Sequence, residues 1–150
     1  MSEFMSQTDA FTWAMESDPR LRSTVVTVIM LDRSPDWDVV RSRFEVLARN
    51  LPIWRRRVIE SPPPTPPRWE DAPDFDIDFH LRRVSAPVPG NIDGVLEMAR
   101  VAAMSDFDRA RPLWYATLIE RLEDGGAAVL CKFHHALTDG VGGVQIAMHL

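Results

Sequence analysis

The stretch AAVLCKFHHALTDGVGGVQ, residues 127–145, is the most informative part of the chain because it joins an apolar segment to two adjacent histidines. Residues 127–133 are almost continuously apolar, as in a buried strand, and Asp-Gly follows the histidines after three residues. Neighbouring side chains of a strand point to opposite faces. If the strand continues through the pair, His134 and His135 therefore face different surroundings, one a cavity and the other the packed interior.

Two further segments have the composition of strands. Residues 113–122 (LWYATLIERL) contain aromatic and β-branched residues that favour a strand over a helix. Residues 124–126 (DGG) then predict a tight turn, so this strand and the following one are expected to form a hairpin. Residues 24–31 (TVVTVIML) are rich in β-branched residues and predict another strand.

Three segments have apolar residues at helical spacing and a capping or starting residue at their N-terminal ends. They run from Ser6 or Thr8 to about residue 16, from residues 35 and 36 to about residue 50, and from about residue 91 to residue 104. The apolar residues of these helices are Phe11, Ala14 and Met15 in the first, Trp37, Val40, Phe44 and Leu47 in the second, and Val95, Met98 and Ala102 in the third. Pro52 is expected to stop the second helix.

The middle of the chain combines strand patterns with a proline-rich loop. Residues 74–84 (DFDIDFHLRRV) place apolar residues strictly at alternate positions, Phe75, Ile77, Phe79 and Leu81, which predicts a strand with one buried face. His80 falls on the opposite, polar face and is expected to be at least partly exposed. Residues 54–60 form a further possible strand. Residues 61–67 (SPPPTPP) predict a surface loop, with a polyproline ligand for a partner domain as the alternative.

Composition narrows the function classes. The chain has 150 residues, of which 45% are hydrophobic, and this fits a single domain with a sizeable core. Its net charge of -5 gives no reason to expect a nucleic-acid partner. Cys131 is the only cysteine, so no internal disulfide is expected, which favours the cytoplasm. We expect neither a secretory signal nor a membrane span of about 18 to 20 apolar residues.

Three kinds of chemistry are open to the histidine pair. A metal site needs a third ligand, and Asp139 and His149 do not match a recognised ligand spacing. A serine or cysteine nucleophile is a second option, but the sequence has no G-x-S-x-G elbow and Cys131 lies inside the predicted strand. The third option is one histidine that acts as general base on an incoming hydroxyl or amine. The position at the end of a strand suits that third option.

The residues after the histidines predict a turn followed by a helix. Asp139 can cap a helix from about residue 140 to residue 150 and so stabilise the turn that carries the pair. Gly140, Gly142 and Gly143 would weaken an isolated helix. Their presence indicates that a ligand or another element approaches the backbone closely there.

The residues 134–140 (HHALTDG) form an HHxxxDG motif, which resembles the active-site signature of the coenzyme A-dependent acyltransferase superfamily, including condensation domains of peptide synthetases. Within it the chain is most similar to the bacterial wax ester synthase/diacylglycerol acyltransferase family. That narrower resemblance rests on SQTDAFTWAMES near the start, on FDIDFHLRRVSAP at residues 75–87, and above all on the PLW of residues 112–114. It extends over essentially the whole chain.

The resemblance implies an O-acyltransferase that moves a fatty acyl group from acyl-CoA to diacylglycerol or a long-chain alcohol, giving triacylglycerol or wax ester. His135 would be the general base. His134 and Asp139 would hold the motif in shape, Gly140 would leave room for substrate, and Pro112, Leu113 and Trp114 would be structural near the channel. No metal and no cofactor are expected, because acyl-CoA is itself the substrate.

The resemblance also implies an α/β fold: an α+β two-layer sandwich like one lobe of chloramphenicol acetyltransferase, with a mixed sheet and flanking helices. The family has two such lobes with the histidine motif in a tunnel between them, and we expect residues 1–150 to supply only the N-terminal lobe. The missing lobe could be a separate subunit, or the chain could be a gene fragment or a decayed remnant.

Two alternative functions remain open from the sequence. One is a non-catalytic lobe that binds a partner or a lipid surface through the apolar face that a missing lobe would expose. The other is an amide-forming condensation domain, against which PLW argues. The expected location is cytoplasmic, with peripheral contact to a membrane or lipid inclusion.

Overall fold

The structure is a computed structural model and describes residues 2–138. Within those residues, strands and α-helices follow one another in the order β1 (Ser2–Phe4), α1 (Gln7–Met15), β2 (Thr24–Leu31), α2 (Trp37–Asn50), β3 (Arg56–Ile59), β4 (Arg68–Asp71), α3 (Ile77–His80), β5 (Leu81–Ser85), α4 (Ile92–Met104), β6 (Trp114–Glu120) and β7 (Ala127–His134). Two 3-10 helices are added at Pro52–Arg55 and His135–Leu137.

A four-stranded mixed sheet with the order β2-β7-β6-β5 carries the histidine pair at one end. Strands β5 and β6 are parallel, whereas β7 is antiparallel to both β2 and β6. The register pairs Thr24 with His134 and Trp114 with Phe133. The first residues of β2, β5 and β6 therefore meet at the end of the sheet where β7 stops. The predicted mixed sheet with flanking helices is confirmed.

Both faces of this sheet are covered, which explains the continuously apolar sequence of β7. On one face, Cys131 and Phe133 belong to a core cluster that also contains Phe44 and Leu47 of α2. On the other face, Leu130 packs in a cluster with Val95 and Ala102 of α4. All eight residues of β7 are buried. The predicted hairpin is also confirmed, with Gly125 of its turn at a φ of +80°.

Side-chain caps begin the three predicted helices. Ser6 accepts from the Asp9 N–H, Asp36 from the Asp38 N–H and Asn91 from the Gly94 N–H. The predicted inward faces of α2 and α4 agree with the burial of Val40, Phe44, Leu47, Val95 and Ala102.

The inward face predicted for α1 is wrong in part. Phe11 is 64% exposed and Ala14 is exposed, whereas Trp13 is buried. The indole of Trp13 points into the protein, where its Nε1 donates to Glu60 Oε1 at 2.9 Å and its ring packs against His134. A helix of nine residues buries its largest aromatic side chain, and the helical spacing of smaller residues does not decide its orientation.

A second, three-stranded antiparallel sheet has the order β1-β4-β3. The sequence patterns did not predict β1 or β4, and they placed the start of β3 too early, because Pro52–Arg55 is a 3-10 helix with proline at its start. Residues 61–67 connect β3 to β4 and contain neither helix nor strand.

The strand predicted for residues 74–84 is wrong over its first half. Ile77–His80 forms the single helical turn α3, and the strand occupies only Leu81–Ser85. The Asp76 carboxylate accepts from the Asp78 N–H, which starts a turn that the alternating pattern does not reveal. As a result Phe79 is 57% exposed instead of buried.

None of the helices within residues 2–138 has the length and apolar character that crossing a membrane requires.

Candidate functional site

The two histidines lie in different surroundings at the end of β7. His134 is the last residue of the strand and is 0% exposed, whereas His135 begins a 3-10 helix and is exposed. The His135 N–H donates to Ser23 O at 2.7 Å, which fixes the backbone at the point where the strand ends. The prediction that only one histidine faces the interior is confirmed, although the strand does not extend through both.

Internal partners occupy both ring nitrogens of His134. Its Nδ1 accepts from the Ala136 N–H at 3.1 Å, so the proton of the neutral ring lies on Nε2. That Nε2 donates to Glu16 Oε2 at 3.0 Å. Neither nitrogen is left for a substrate, and this geometry suits a residue that shapes the motif. By contrast, no residue within 2–138 makes a hydrogen bond with the His135 ring.

Glu16 joins three elements through one carboxylate oxygen. Its Oε2 accepts from His134 and also from the Ser23 N–H at 3.0 Å. Glu16 follows α1, Ser23 precedes β2 and His134 ends β7, so the buried carboxylate holds these three chain segments together. Sequence reasoning missed Glu16 because 118 residues separate it from His134 and no spacing rule connects them.

Burial keeps the His134 ring neutral. Loss of solvation lowers the pKa of His134 below its usual 6.5, and the neighbouring Glu16 carboxylate only partly opposes this. The rings of Trp13 and Phe107 lie edge-on to the imidazole, with centroids at 5.7 and 6.3 Å. The histidine therefore sits in a mostly aromatic environment with one carboxylate.

Lys132 is a buried cation on the same face of β7 as His134. Its Nζ donates to Ser105 O at 2.6 Å and lies 4.4 Å from the centre of the Phe107 ring. Loss of solvation lowers the pKa of Lys132 to about 8, against the attraction of Asp106. The sequence shows Lys132 as the only lysine, but its burial was not predicted.

Lys132 and Arg22 together hold the C-terminal end of α4. The Arg22 guanidinium donates to Met104 O at 2.9 Å and pairs with Asp106 at 2.6 Å. Two cations at the carbonyl end of a helix interact favourably with its dipole. They place the segment that carries Phe107 against His134.

The segment Pro112, Leu113 and Trp114 lies directly beside the histidine motif. Leu113 O accepts from the His134 N–H at 3.0 Å. The Trp114 indole donates to Trp54 O at 2.8 Å, and all three residues of the segment are buried. The structure thus brings together two stretches of sequence that were singled out separately.

The prediction that His80 is exposed is wrong. The side chain is 3% exposed, and its ring stacks on Trp114 with centroids 4.6 Å apart. Its Nδ1 lies 2.7 Å from Trp114 O, and because a carbonyl oxygen only accepts, this nitrogen carries the proton. Burial lowers the pKa of His80. The turn α3 rotates the side chain inward, which a continuous strand would not do.

The remaining predicted site residues give a mixed result. The described residues do not include Asp139, Gly140, His149 or the helix predicted from about residue 140 to residue 150. Residues 2–138 contain no group of three or more potential metal ligands. Cys131 is buried and its pKa is raised to about 12, so it is held as a thiol and is a poor nucleophile.

The sequence matches the wax ester synthase/diacylglycerol acyltransferase catalytic domain over residues 5–150. Rv2484c of Mycobacterium tuberculosis H37Rv, whose name gives it provisionally as a diacylglycerol O-acyltransferase, is 43% identical over 147 residues. Rv3087 of the same organism, named in the same way, is 37% identical over 125 residues. The matches cover 97% and 77% of this chain but only 30% and 26% of those relatives.

Solved structures show the same fold. The wax ester synthase/diacylglycerol acyltransferase from Marinobacter aquaeolei VT8 matches with a TM-score of 0.75 at 24% identity, over 97% of this chain and 36% of that chain. The starter condensation domain of rhizomide synthetase matches with a TM-score of 0.78 at 13% identity, over 99% and 37%. A variant of that domain in complex with C8-CoA gives a TM-score of 0.79 at 13% identity, over 99% and 34%. The present fold therefore corresponds to one lobe, about a third of each solved chain.

Replacing Glu16 should show how much the buried carboxylate stabilises the site. Glu16→Ala leaves the buried His134 Nε2–H and the partly buried Ser23 N–H without an acceptor, at about 1–3 kcal/mol for the buried donor and less for the other. We expect urea denaturation to show a loss in the free energy of unfolding on the order of 2 to 4 kcal/mol. Glu16→Gln is the matched control, because its amide oxygen can accept both bonds. Equal stability of the two variants would contradict this role.

The burial of Lys132 predicts a pH-dependent contribution to stability. Its folded pKa of about 8 lies below its ordinary value of 10.5, so between these values the unfolded chain binds more protons and stability rises with pH. In Lys132→Met this contribution is absent. Urea denaturation across that window should therefore show a wild-type advantage over the variant that grows with pH. A difference independent of pH would show that the lysine is solvated.

Proposed function

The chain belongs to the wax ester synthase/diacylglycerol acyltransferase catalytic-domain family, and from this premise we propose that it supplies the general base of an O-acyltransferase. The proposed reaction transfers a fatty acyl group from acyl-CoA to diacylglycerol or a long-chain alcohol. His135 is the proposed base. The observation that carries this assignment is the difference between the two histidines, since His134 has both ring nitrogens engaged and His135 has an exposed ring.

The proposed step is a direct displacement. His135 takes the proton of the acceptor hydroxyl while the oxygen attacks the thioester carbonyl. A carbon–oxygen bond forms, the carbon–sulfur bond breaks, and the proton passes to the departing thiolate, which leaves as CoA thiol. No acyl-enzyme is needed. The buried, protonated thiol of Cys131 agrees with this, because it is not available as a nucleophile.

The main-chain hydrogen bonds of His135 support its proposed role as a base with a fixed position. Its backbone N–H is bonded to Ser23 O, and its carbonyl accepts from both the N–H and the hydroxyl of Thr138 at 3.0 and 3.1 Å. The preceding residue is locked by Glu16. A catalytic group held by its main chain keeps its place while its ring nitrogens, which bond to no residue within 2–138, face the substrate.

Acyl-CoA as donor is supported by the family and by the fold shared with a condensation domain whose structure contains C8-CoA. That likeness is at 13% identity and concerns the fold alone. The family match also favours an ester product over the amide of a condensation domain. Because both proposed acceptors are lipids, peripheral contact with a membrane or lipid inclusion is part of this proposal.

A non-catalytic lobe that binds a partner or a lipid surface was the alternative. Membership of a catalytic-domain family favours catalysis over it, and no feature of residues 2–138 specifically supports the alternative.

The assignment of His135 predicts separate effects on activity and stability. When the chain replaces the corresponding region of an active full-length relative, His135→Ala should lower acyl transfer by about 10²- to 10⁴-fold. Stability should change by less than about 0.5 kcal/mol, because the side chain is exposed. His134→Ala serves as the comparison and should mainly destabilise the protein. Wild-type turnover in the His135 variant would rule out the assignment.

The 150-residue chain alone is predicted to show no acyl transfer. Within residues 2–138 the His135 side chain is exposed, whereas transfer needs walls that exclude water and align thioester with hydroxyl. A misplacement of about 1 Å already costs roughly 10²-fold in rate. The assay follows release of CoA thiol from long-chain acyl-CoA with diacylglycerol or a long-chain alcohol. Release that depends on both the acceptor and His135 would contradict this prediction.

A further inference from the structure

A cavity of about 280 Å³ lies at the same end of the sheet as the histidine pair. Its walls come from the starts of β5 and β6 and from the segment that follows α4, and they include Phe79, His80, Arg82, Phe107, Arg111 and Tyr115. Neighbouring strands are about 4.8 Å apart, and the register places Leu81 at the start of β5 level with Cys131, so the start of β5 lies about 10 Å across the sheet from β7, three residues before β7 ends. The cavity is therefore close to His135 but separate from it.

His80 presents an unpaired acceptor to this cavity. Since Nδ1 carries the proton and donates to Trp114 O, Nε2 of the neutral ring has a free lone pair. No residue within 2–138 bonds to that nitrogen. In the part of the chain that the structure describes, the fully enclosed side-chain atoms without partners are Arg22 Nε, Thr24 Oγ1 and Arg57 Nε. His80 Nε2 is not among them. This atom is therefore open to the cavity, although the side chain as a whole is only 3% exposed.

Arg82 adds a donor that no carboxylate within residues 2–138 neutralises. Its guanidinium stacks on the Tyr115 ring at 4.5 Å and makes no ion pair with the described residues. Arg111, in contrast, pairs with Asp108 at 3.3 Å. Of the cavity's polar groups, the Nε2 acceptor of His80 and the donors of Arg82 are thus available to a ligand.

We propose that this cavity binds a neutral ligand segment that carries a hydrogen-bond donor next to a carbonyl oxygen. The donor bonds to His80 Nε2, and the carbonyl oxygen accepts from Arg82. The cavity lining carries equal numbers of positively and negatively charged side chains, which suits a neutral group better than a strongly anionic one such as a phosphate: Arg82, Arg111, Asp106 and Asp108. The aromatic walls of Phe79, Phe107 and Tyr115 accommodate the carbon skeleton of the segment.

Two substrates of the proposed reaction contain this chemistry. The pantetheine arm of acyl-CoA has secondary amides, and a partial glyceride has a hydroxyl beside ester carbonyls. The choice between these two sources rests on the proposed function, whereas the existence of the site does not. A long-chain alcohol offers only a hydroxyl, so the cavity favours the other two molecules over it.

The test is direct binding to the 150-residue chain, which is independent of any transfer activity. With nitrogen-15-labelled histidine, pantetheine and glycerol monoacetate are titrated separately, and triacetin, which lacks a hydroxyl, is the control for the glyceride. We expect a saturable shift of the His80 Nε2 resonance with pantetheine or glycerol monoacetate and a weaker response to triacetin. The ligand that binds identifies the source. A folded chain whose Nε2 resonance responds to neither ligand would overturn the proposal.

Two variants check that the contacts are those proposed. His80→Asn retains a donor for Trp114 O at the position of Nδ1 but removes the Nε2 acceptor, and it should weaken binding about three- to tenfold. Arg82→Gln should weaken binding by a similar factor. Arg83→Gln is its matched control, because Arg83 pairs with Glu120 and does not line the cavity. Unchanged affinity in His80→Asn, or equal losses in the two arginine variants, would contradict the site.

Discussion

The hydrogen bonds that Glu16 Oε2 accepts from His134 and from Ser23 connect the parts of the molecule on which the site depends. Without them, the end of α1 would lose its hydrogen bonds to the start of β2 and to the end of β7, which are joined to each other by the His135 N–H to Ser23 O bond. A carboxylate removed from water is stable only when donors satisfy it, so the three segments are constrained to meet. Because the chain must leave β7 immediately after His134, His135 is turned outward.

The same end of the sheet shows how one fold gives four basic side chains different properties. His134 is neutral with both nitrogens engaged, and His80 is neutral with one nitrogen engaged. Lys132 is buried with a pKa lowered to about 8. Of these side chains, only the exposed ring of His135 has no hydrogen bond with the described residues. The proposed proton transfer, the support of the motif and the proposed ligand contact therefore fall to separate residues within a few strand spacings.

Local sequence patterns predicted the elements whose own residues determine them. The uninterrupted apolar run of β7, the hairpin turn before it and the capped helices α2 and α4 were all found, because burial on a regular face imposes a visible period. Residues 74–80 were misassigned, since a single Asp76 cap outweighs an alternating pattern of seven residues. The small strands β1 and β4 are short edge elements with no such period.

The site was only partly predictable, for a related reason. The histidine motif and the PLW segment are each a short run of consecutive residues, so each could be recognised from the sequence alone. The structure places the two runs in contact. Glu16, Lys132 and the burial of His80 depend on contacts between residues far apart in the chain. Such contacts follow from the tertiary fold, and no local pattern encodes them.

The central claim is that Glu16 and Ala136 hold His134 as the neutral Nε2–H tautomer, whereas the His135 ring has no hydrogen bond with residues 2–138. Nitrogen-15 correlation spectra of the labelled histidine side chains at neutral pH measure this directly. The account predicts a protonated Nε2 and an unprotonated Nδ1 for His134. In Glu16→Ala this tautomer should persist, because the Ala136 N–H still donates to Nδ1, while the Nε2–H resonance should shift because its acceptor is gone. A His134 ring that is positively charged, or that carries its proton on Nδ1, would contradict it.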